Sequence, residues 1–170
     1  MCIRDRDNYD WRNKNTVMKL STKGRYAIIA MSDIVLYGNQ SPVSLSEINT
    51  RQGISLSYLE QLFAKLKSSG LVKSIRGPGG GYSLNKNPSD INLMDIITAV
   101  DERIDQTQCG GAMNCHKDKP CLTHFIWLEL NEKISEYMRT ITLGDISDRE
   151  DVKKIIIYRE SKNVNAYETK

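Results

Sequence analysis

Three of the chain's four cysteines lie in one polar stretch, CGGAMNCHKDKPCLTH, from 109 to 124. Five residues separate each cysteine from the next, and His124 follows Cys121 at i+3. The Gly, Asn, Asp, Lys and Pro between them offer almost nothing to a hydrophobic core, so the thiols are grouped for their chemistry. Thiolate and imidazole together suit zinc or an iron–sulfur cluster. Structural zinc usually recruits Cys-x2–4-Cys knuckles, and this stretch has none. Intervals of five leave slack loops, better suited to a wider 2Fe–2S cluster held by three Cys and one His. The histidine must be neutral to bind, so that link weakens as pH falls. His116 beside Cys115 is a rival ligand. His124 is preferred, because the i, i+3 spacing would put it and Cys121 on one face at the start of a helix. Pro120 would suit that helix's first turn, and its positive end would favour a metal–thiolate assembly. Cys109 and Cys115 would arrive from a loop that Gly110 and Gly111 allow to bend. Zinc, or a thiol–disulfide switch using the same cysteines, stays open on spacing alone.

Several elements must position this loop. Between Lys23 and Tyr37, residues Tyr26, Ala27, Ala30, Met31 and Ile34 recur at helical spacing, with Ser21 and Thr22 as caps and Gly38-Asn39 as a stop. A short helix follows over Leu45–Arg51, with Ser44 and Glu47 as a capping box. After Gly53 comes a longer helix, Leu56–Ser69, capped by Ser55 and stopped by Gly70. Its apolar stripe is Leu56, Leu59, Leu62, Phe63 and Leu66, and Ser57, Glu60, Gln61 and Lys65 lie opposite. Two helices around a glycine turn read equally as an ordinary hairpin or a helix-turn-helix. LVKSI, RGPGGG and YSLNK (71–86) then form strand, turn and strand, the wing of a winged helix. Its tip lacks side chains, so backbone amides can approach another surface, and Arg76 at its base can reach a phosphate or a minor groove. The stretch lacks the Lys-Ser/Thr of a P-loop.

Beyond the wing, a helix from about Leu93 faces Leu93, Ile96, Ile97 and Val100 inward. A long helix at roughly 122–142 carries Trp127, Leu130, Ile134, Tyr137 and Ile141 as a heptad seam, read as a dimerisation surface. The fold class is mainly α with a small β wing: a winged helix-turn-helix domain plus a long dimerisation helix. The expected organisation is a disordered, non-native leader at 1–17, a DNA-binding domain at 18–90, a cluster loop with dimerisation helix at 91–145, and a tail of short helix then disorder at 146–170. Cys2 in the leader reads as an incidental thiol.

The net charge of +3 is unevenly spread. Residues 18–86 hold nine Lys/Arg against three acids, whereas 87–170 hold eleven bases against fifteen acids. A basic N-terminal half suits a polyanion such as double-stranded DNA. No apolar run is long enough to span a bilayer, and no secretory signal opens the chain, so a cytoplasmic location with reduced thiols and no membrane partner is expected. There is no nucleophile–base pair and no open catalytic metal position, so an enzyme is not expected.

MKLSTKGRYA (18–27), RQGISLSYLEQLF (51–63), RGPGGGY (76–82) and the Cys-x5-Cys-x5-Cys-Leu-Thr-His spacing together resemble the iron–sulfur cluster regulators, a winged-helix family of bacterial transcription factors. The similarity covers about Met18 to Asp145. It implies a homodimer with a 2Fe–2S cluster on Cys109, Cys115, Cys121 and His124, supplied by the iron–sulfur assembly machinery. It also implies repression of the genes for that machinery when clusters are plentiful, and action of the apo form at a second class of promoter. Matching positions suggest Ser57, Tyr58, Glu60 and Gln61 as groove-facing residues, with Arg76, Gly79 and Gly80 at the wing. Two alternatives differ: a nitric oxide or redox sensor of the same fold would release DNA on exposure to its signal. A zinc-stabilised interaction module would be colourless and would lack DNA affinity.

Overall fold

The computed structural model describes residues 21–38, 41–107 and 109–167. The leader at 1–17 with its Cys2, and Asn39 of the expected helix stop, lie outside the described residues. Helix α1 (Thr22–Tyr37) begins where Ser21 Oγ accepts from the Lys23 amide at 3.2 Å. Ala27, Ala30, Met31 and Ile34 form its buried face. Tyr26, expected on that face, sits at its margin and meets Tyr58 edge-on, ring centroids 5.9 Å apart.

Helix α2 (Leu45–Gln52) carries the capping box read from the sequence: the Glu47 amide donates to Ser44 Oγ at 3.2 Å, and the Glu47 carboxylate accepts from the Ser44 amide at 2.7 Å. After Gly53, Ser55 takes the N-cap position of α3 (Leu56–Ser68), but its side chain makes no cap bond. Leu59, Leu62, Phe63 and Leu66 are buried as the stripe requires. Leu56 departs from the stripe at 45% exposed, while Ile54 just upstream is buried in the core.

The wing is strand β1 (Val72–Ile75) antiparallel to β2 (Gly81–Leu84), with Val72 opposite Leu84 and Ile75 opposite Gly81. Val43 and Tyr82 exchange backbone hydrogen bonds of 2.9 and 2.8 Å, which pins the wing to the entry of α2. A Cβ on Gly81 would lie 2.5 Å from the Val43 backbone, so only glycine permits this approach. The Tyr82 ring packs on Phe63 at 4.7 Å between centroids, making wing and α3 one packing unit.

Helix α4 (Leu93–Ala99) opens with a second capping box, Asn92 with Asp95, and buries Ile96 and Ile97. The chain then makes an excursion through the cysteine loop and along α5 (His124–Thr140). It returns where the Leu93 amide donates to Ile141 O and the Leu143 amide to Ile91 O, both at 2.9 Å. Leu143, on α6 (Leu143–Asp148), re-enters the core, and α6 packs on α1. Helix α5 is shorter than expected at both ends. Leu122-Thr123 form a turn before it, and Thr142 caps α6 immediately after it.

The tail is more helical than its charge suggested. Position 145, the expected boundary, falls inside α6, and α7 runs for 18 residues over Glu150–Tyr167. Glu150 and Asp151 stand in the first turn of α7, where the helix dipole favours acids. Among the described residues, no helix is long and apolar enough to cross a membrane.

Candidate metal centre and nucleic-acid interface

Cys109 Sγ lies 3.5 Å and Cys115 Sγ 3.6 Å from His124 Nδ1, and these three ligand atoms are all within 4.8 Å of one another. His124 is the one residue of α5 that is buried, at 1% exposed, and its Nε2 has no hydrogen-bond partner. The imidazole is thereby fixed with its Nδ1 edge toward the thiols.

Cys121 joins the site differently from expectation. It precedes α5 and is joined to His124 by a turn, the His124 amide donating to Cys121 O at 3.1 Å. The pair therefore does not share a helical face, and Pro120 lies ahead of the first turn. The Cys121 amide donates to Cys115 Sγ at 2.9 Å, while its own Sγ sits 3.7 Å from Thr123 Oγ1. Cys115, Cys121 and His124 line a cleft of about 420 Å3 with Gln106, Thr107, Thr123 and Trp127. His116 is not among the converging ligand residues. It is exposed, and its backbone closes a two-residue turn with Lys119 through paired 2.9 Å hydrogen bonds.

The loop's polar groups favour thiolates at two positions. Burial works against the Cys109 thiolate, yet the Met113 amide, the Thr107 hydroxyl and the Gly111 amide bring that thiol below its ordinary value. The Cys115 thiol, through its hydrogen bond, does the same for Cys121. At Cys115 the Cys121 amide favours the thiolate, but burial and the two neighbouring thiols outweigh it and push the group up. Soft donors already gathered around an imidazole nitrogen match the donor chemistry of an iron–sulfur cluster or zinc.

Sequence spacing did not show what holds the loop. Asp105 Oδ1 accepts from the Thr107 amide and hydroxyl at 2.7 and 2.6 Å, and from Asn131 Nδ2 on α5 at 3.1 Å. The Gln106 amide donates to Asn131 Oδ1 at 2.8 Å. Asp105-Gln106-Thr107 is a legible Asx-turn signature, but its tie to Asn131 is tertiary.

In the N-terminal half, Ser57, Glu60 and Gln61 lie exposed on α3, opposite its buried stripe. Tyr58 is half-buried against Tyr26. Arg76 and Gly79 are exposed past the end of β1. The Gly80 amide is spent within the turn, donating to Gly77 O at 2.9 Å.

Helix-turn-helix, pinned wing and cysteine loop define a winged-helix DNA-binding transcription regulator. The chain belongs to the Rrf2 family of iron-dependent transcriptional regulators, whose pattern matches residues 20–149. It is 51% identical over 144 residues to the HTH-type transcriptional regulator IscR of Vibrio atlanticus (strain LGP32), spanning 79% of this chain and 83% of that one. The solved structure of T. potens IscR is similar at TM-score 0.62 and 40% identity, over 76% of this chain and 85% of that one. That of CymR, the global cysteine regulator of B. subtilis, is similar at TM-score 0.65 and 33% identity, over 77% and 97%. These relatives are transcription regulators, and the chain is one of them rather than an enzyme.

Proposed function

We propose that Cys109, Cys115, Cys121 and His124 hold a 2Fe–2S cluster, and that its presence sets which promoters a cytoplasmic homodimer reads, the iron–sulfur biogenesis genes among them. The convergence of the Cys109 and Cys115 thiols on His124 Nδ1 carries this reading. When bound, the cluster supplies a labile, redox-active centre whose occupancy reports supply from the assembly machinery. The protein's own part is to keep the thiols and the imidazole in place through Asp105, Thr107 and Asn131.

Ser57, Tyr58, Glu60 and Gln61 on α3, with Arg76, Gly79 and Gly80 at the wing, are the DNA-facing set. Glu60 acts as a filter: its carboxylate is repelled by phosphate and tolerated where a cytosine amino group can donate to it. The partner surface is α5, where Phe125, Ile126, Trp127 and Tyr137 are exposed along a helix whose heptad seam needs a second helix. An Ile134→Glu variant that still sediments as a dimer would remove the seam from this reading.

The deciding experiment is anaerobic purification with a UV–visible spectrum and counts of iron and acid-labile sulfide. Visible charge-transfer bands with about two irons and two sulfides per chain are expected. A colourless protein that reconstitution leaves colourless, or one that carries a single zinc, would overturn the proposal.

A further inference from the structure

Helix α4 ends in a hydrogen-bond pattern that normally calls for glycine. The Asp101 amide donates to Thr98 O at 3.0 Å and the Glu102 amide to Ile97 O at 3.1 Å, with Asp101 in the left-handed region at φ +54. Helix α3 ends in the same way, the Gly70 amide on Lys67 O and the Leu71 amide on Leu66 O, and there the left-handed position is glycine at φ +73. An aspartate in that conformation is strained where glycine is not.

The side chain at 101 shows what it does there. Its carboxylate forms an ion pair with Lys65 on α3 at 2.5 Å, and its carbonyl accepts from Lys23 Nζ on α1 at 3.4 Å. The neighbouring Glu102 accepts from Ser21 Oγ at 2.6 Å and from the Ser21 amide at 3.3 Å, gripping the start of α1. Lys65 holds the Asp101 carboxyl below the ordinary carboxylate range. The Lys65–Asp101 pair is exposed, and such pairs contribute little to stability. The left-handed backbone at Asp101 offsets that small gain, so stability does not account for the residue. Position does: Asp101 is where the chain leaves the core for the cysteine loop. Three residues past Glu102, Asp105 is locked to Thr107 and Asn131, and the Gly111 amide donates to Thr107 Oγ1 at 2.7 Å. The path from α3 to the thiols thus has a hydrogen-bonded anchor every few residues.

We propose that Asp101 and Glu102 clip the start of the cysteine loop to the DNA-facing helix α3 and to the entry of α1 respectively, with Asp101 a positioning residue that acts on DNA recognition through Lys65. The clip rests on the cluster-sensing reading above and gives it a route: loop rearrangement shifts Asp101, and Lys65 carries the shift to the flank of α3 beside Gln61.

The test uses the full chain, loaded and apo, with a duplex recovered by loaded wild-type protein from a random-sequence pool. Fluorescence anisotropy gives the ratio of loaded to apo affinity. Asp101→Gly relieves the strained backbone while removing the carboxylate, so it separates folding from coupling. Its melting temperature and visible absorbance should match or exceed wild type, while the affinity ratio falls at least fivefold toward one. Lys65→Met should lower the ratio similarly, and the double variant should go no further. A ratio in Asp101→Gly within twofold of wild type would overturn the clip. If the wild-type ratio itself is one, the sensing reading fails before any variant is made, and the clip fails with it.

Discussion

Arg51 lays its guanidinium on the buried carboxylate of Asp33, Nη2 to Oδ1 at 2.7 Å and Nε to Oδ2 at 3.1 Å. Gln52 Nε2 donates to the same carboxylate at 2.7 Å, and Arg51 stacks over the Tyr37 ring at 4.5 Å from its centroid. The first helix of the helix-turn-helix is thereby fastened to α1 by polar contacts beneath its apolar ones. A charge with no exposed surface cannot lose its partner cheaply.

Arg51→Ala should therefore destabilise the fold by about 2–3 kcal/mol, below the usual ~3–5 for a buried pair because Arg51 keeps 27% of its side chain in water. Urea unfolding measures it. Asp33→Leu combined with Arg51→Met should recover much of the loss, since an apolar replacement leaves no stranded charge. A single-variant loss under about 0.5 kcal/mol would show that water already solvates Asp33.

Acid should weaken the same helix through Glu47. The Ser44 amide, and then its hydroxyl, hold the Glu47 carboxyl below its ordinary value. A folded-state value below the unfolded one gives stability that is complete above the unfolded value, near pH 4.3, and is lost as pH falls through the folded one. Ser44→Ala should cost about 1 kcal/mol at neutral pH by loss of the cap. Glu47→Gln, which has no proton to gain, should flatten the acid limb of the stability curve below about pH 5, measured by urea unfolding across that range. An unchanged acid limb would assign it to other carboxylates.

These two contacts differ in how far the sequence announced them. Ser44 and Glu47 are three residues apart, so their box is a local pattern that any reader of spacing can see. Asp33 and Arg51 are distant in the chain, and their pairing exists only once α1 and α2 pack. The same division runs through the site. Cysteine spacing and the apolar stripe of α3 are local and were legible. The turn that removes Cys121 from α5, the Asn131 tether and the Lys65–Asp101 pair depend on where α5 and α4 come to rest. Leu56 and Tyr26 fit a helical period yet lie at the margin, because periodicity gives a face and not its width. For the tail a short helix and then disorder was expected; the structure has α6, opened by the local Thr142–Asp145 capping box, and then α7 over Glu150–Tyr167.

The two histidines should separate cleanly. His124 is buried with Nδ1 on the thiols, whereas His116 stands exposed on a turn closed with Lys119. On the cluster proposal, His124→Ala should lose most of its iron on desalting and His116→Ala should retain it, measured as iron per chain after anaerobic reconstitution. Cys121→Ala tests the ligand the geometry leaves furthest from the others. Retention by His124→Ala with loss by His116→Ala would mean the loop refolds around the metal with His116 inward.

DNA binding should answer differently to the wing and to α3. Arg76 is exposed just past β1, and on the proposed wing contact its guanidinium would meet phosphate or a narrow groove without reading a base edge. Arg76→Ala should therefore weaken all duplexes alike and reduce the salt slope by about 1. Glu60 is exposed on α3 among Ser57 and Gln61, and on the proposed reading its carboxylate would exclude sites that offer it no donor. Glu60→Ala should raise apo affinity for duplexes that wild type binds only when loaded, by about tenfold for one relieved mismatch of 1–3 kcal/mol. Gel-shift titration of both variants against both promoter classes separates the two effects. If Glu60→Ala leaves apo selectivity unchanged, the filter lies elsewhere on α3, and Gln61 and Ser57 become the residues to substitute next.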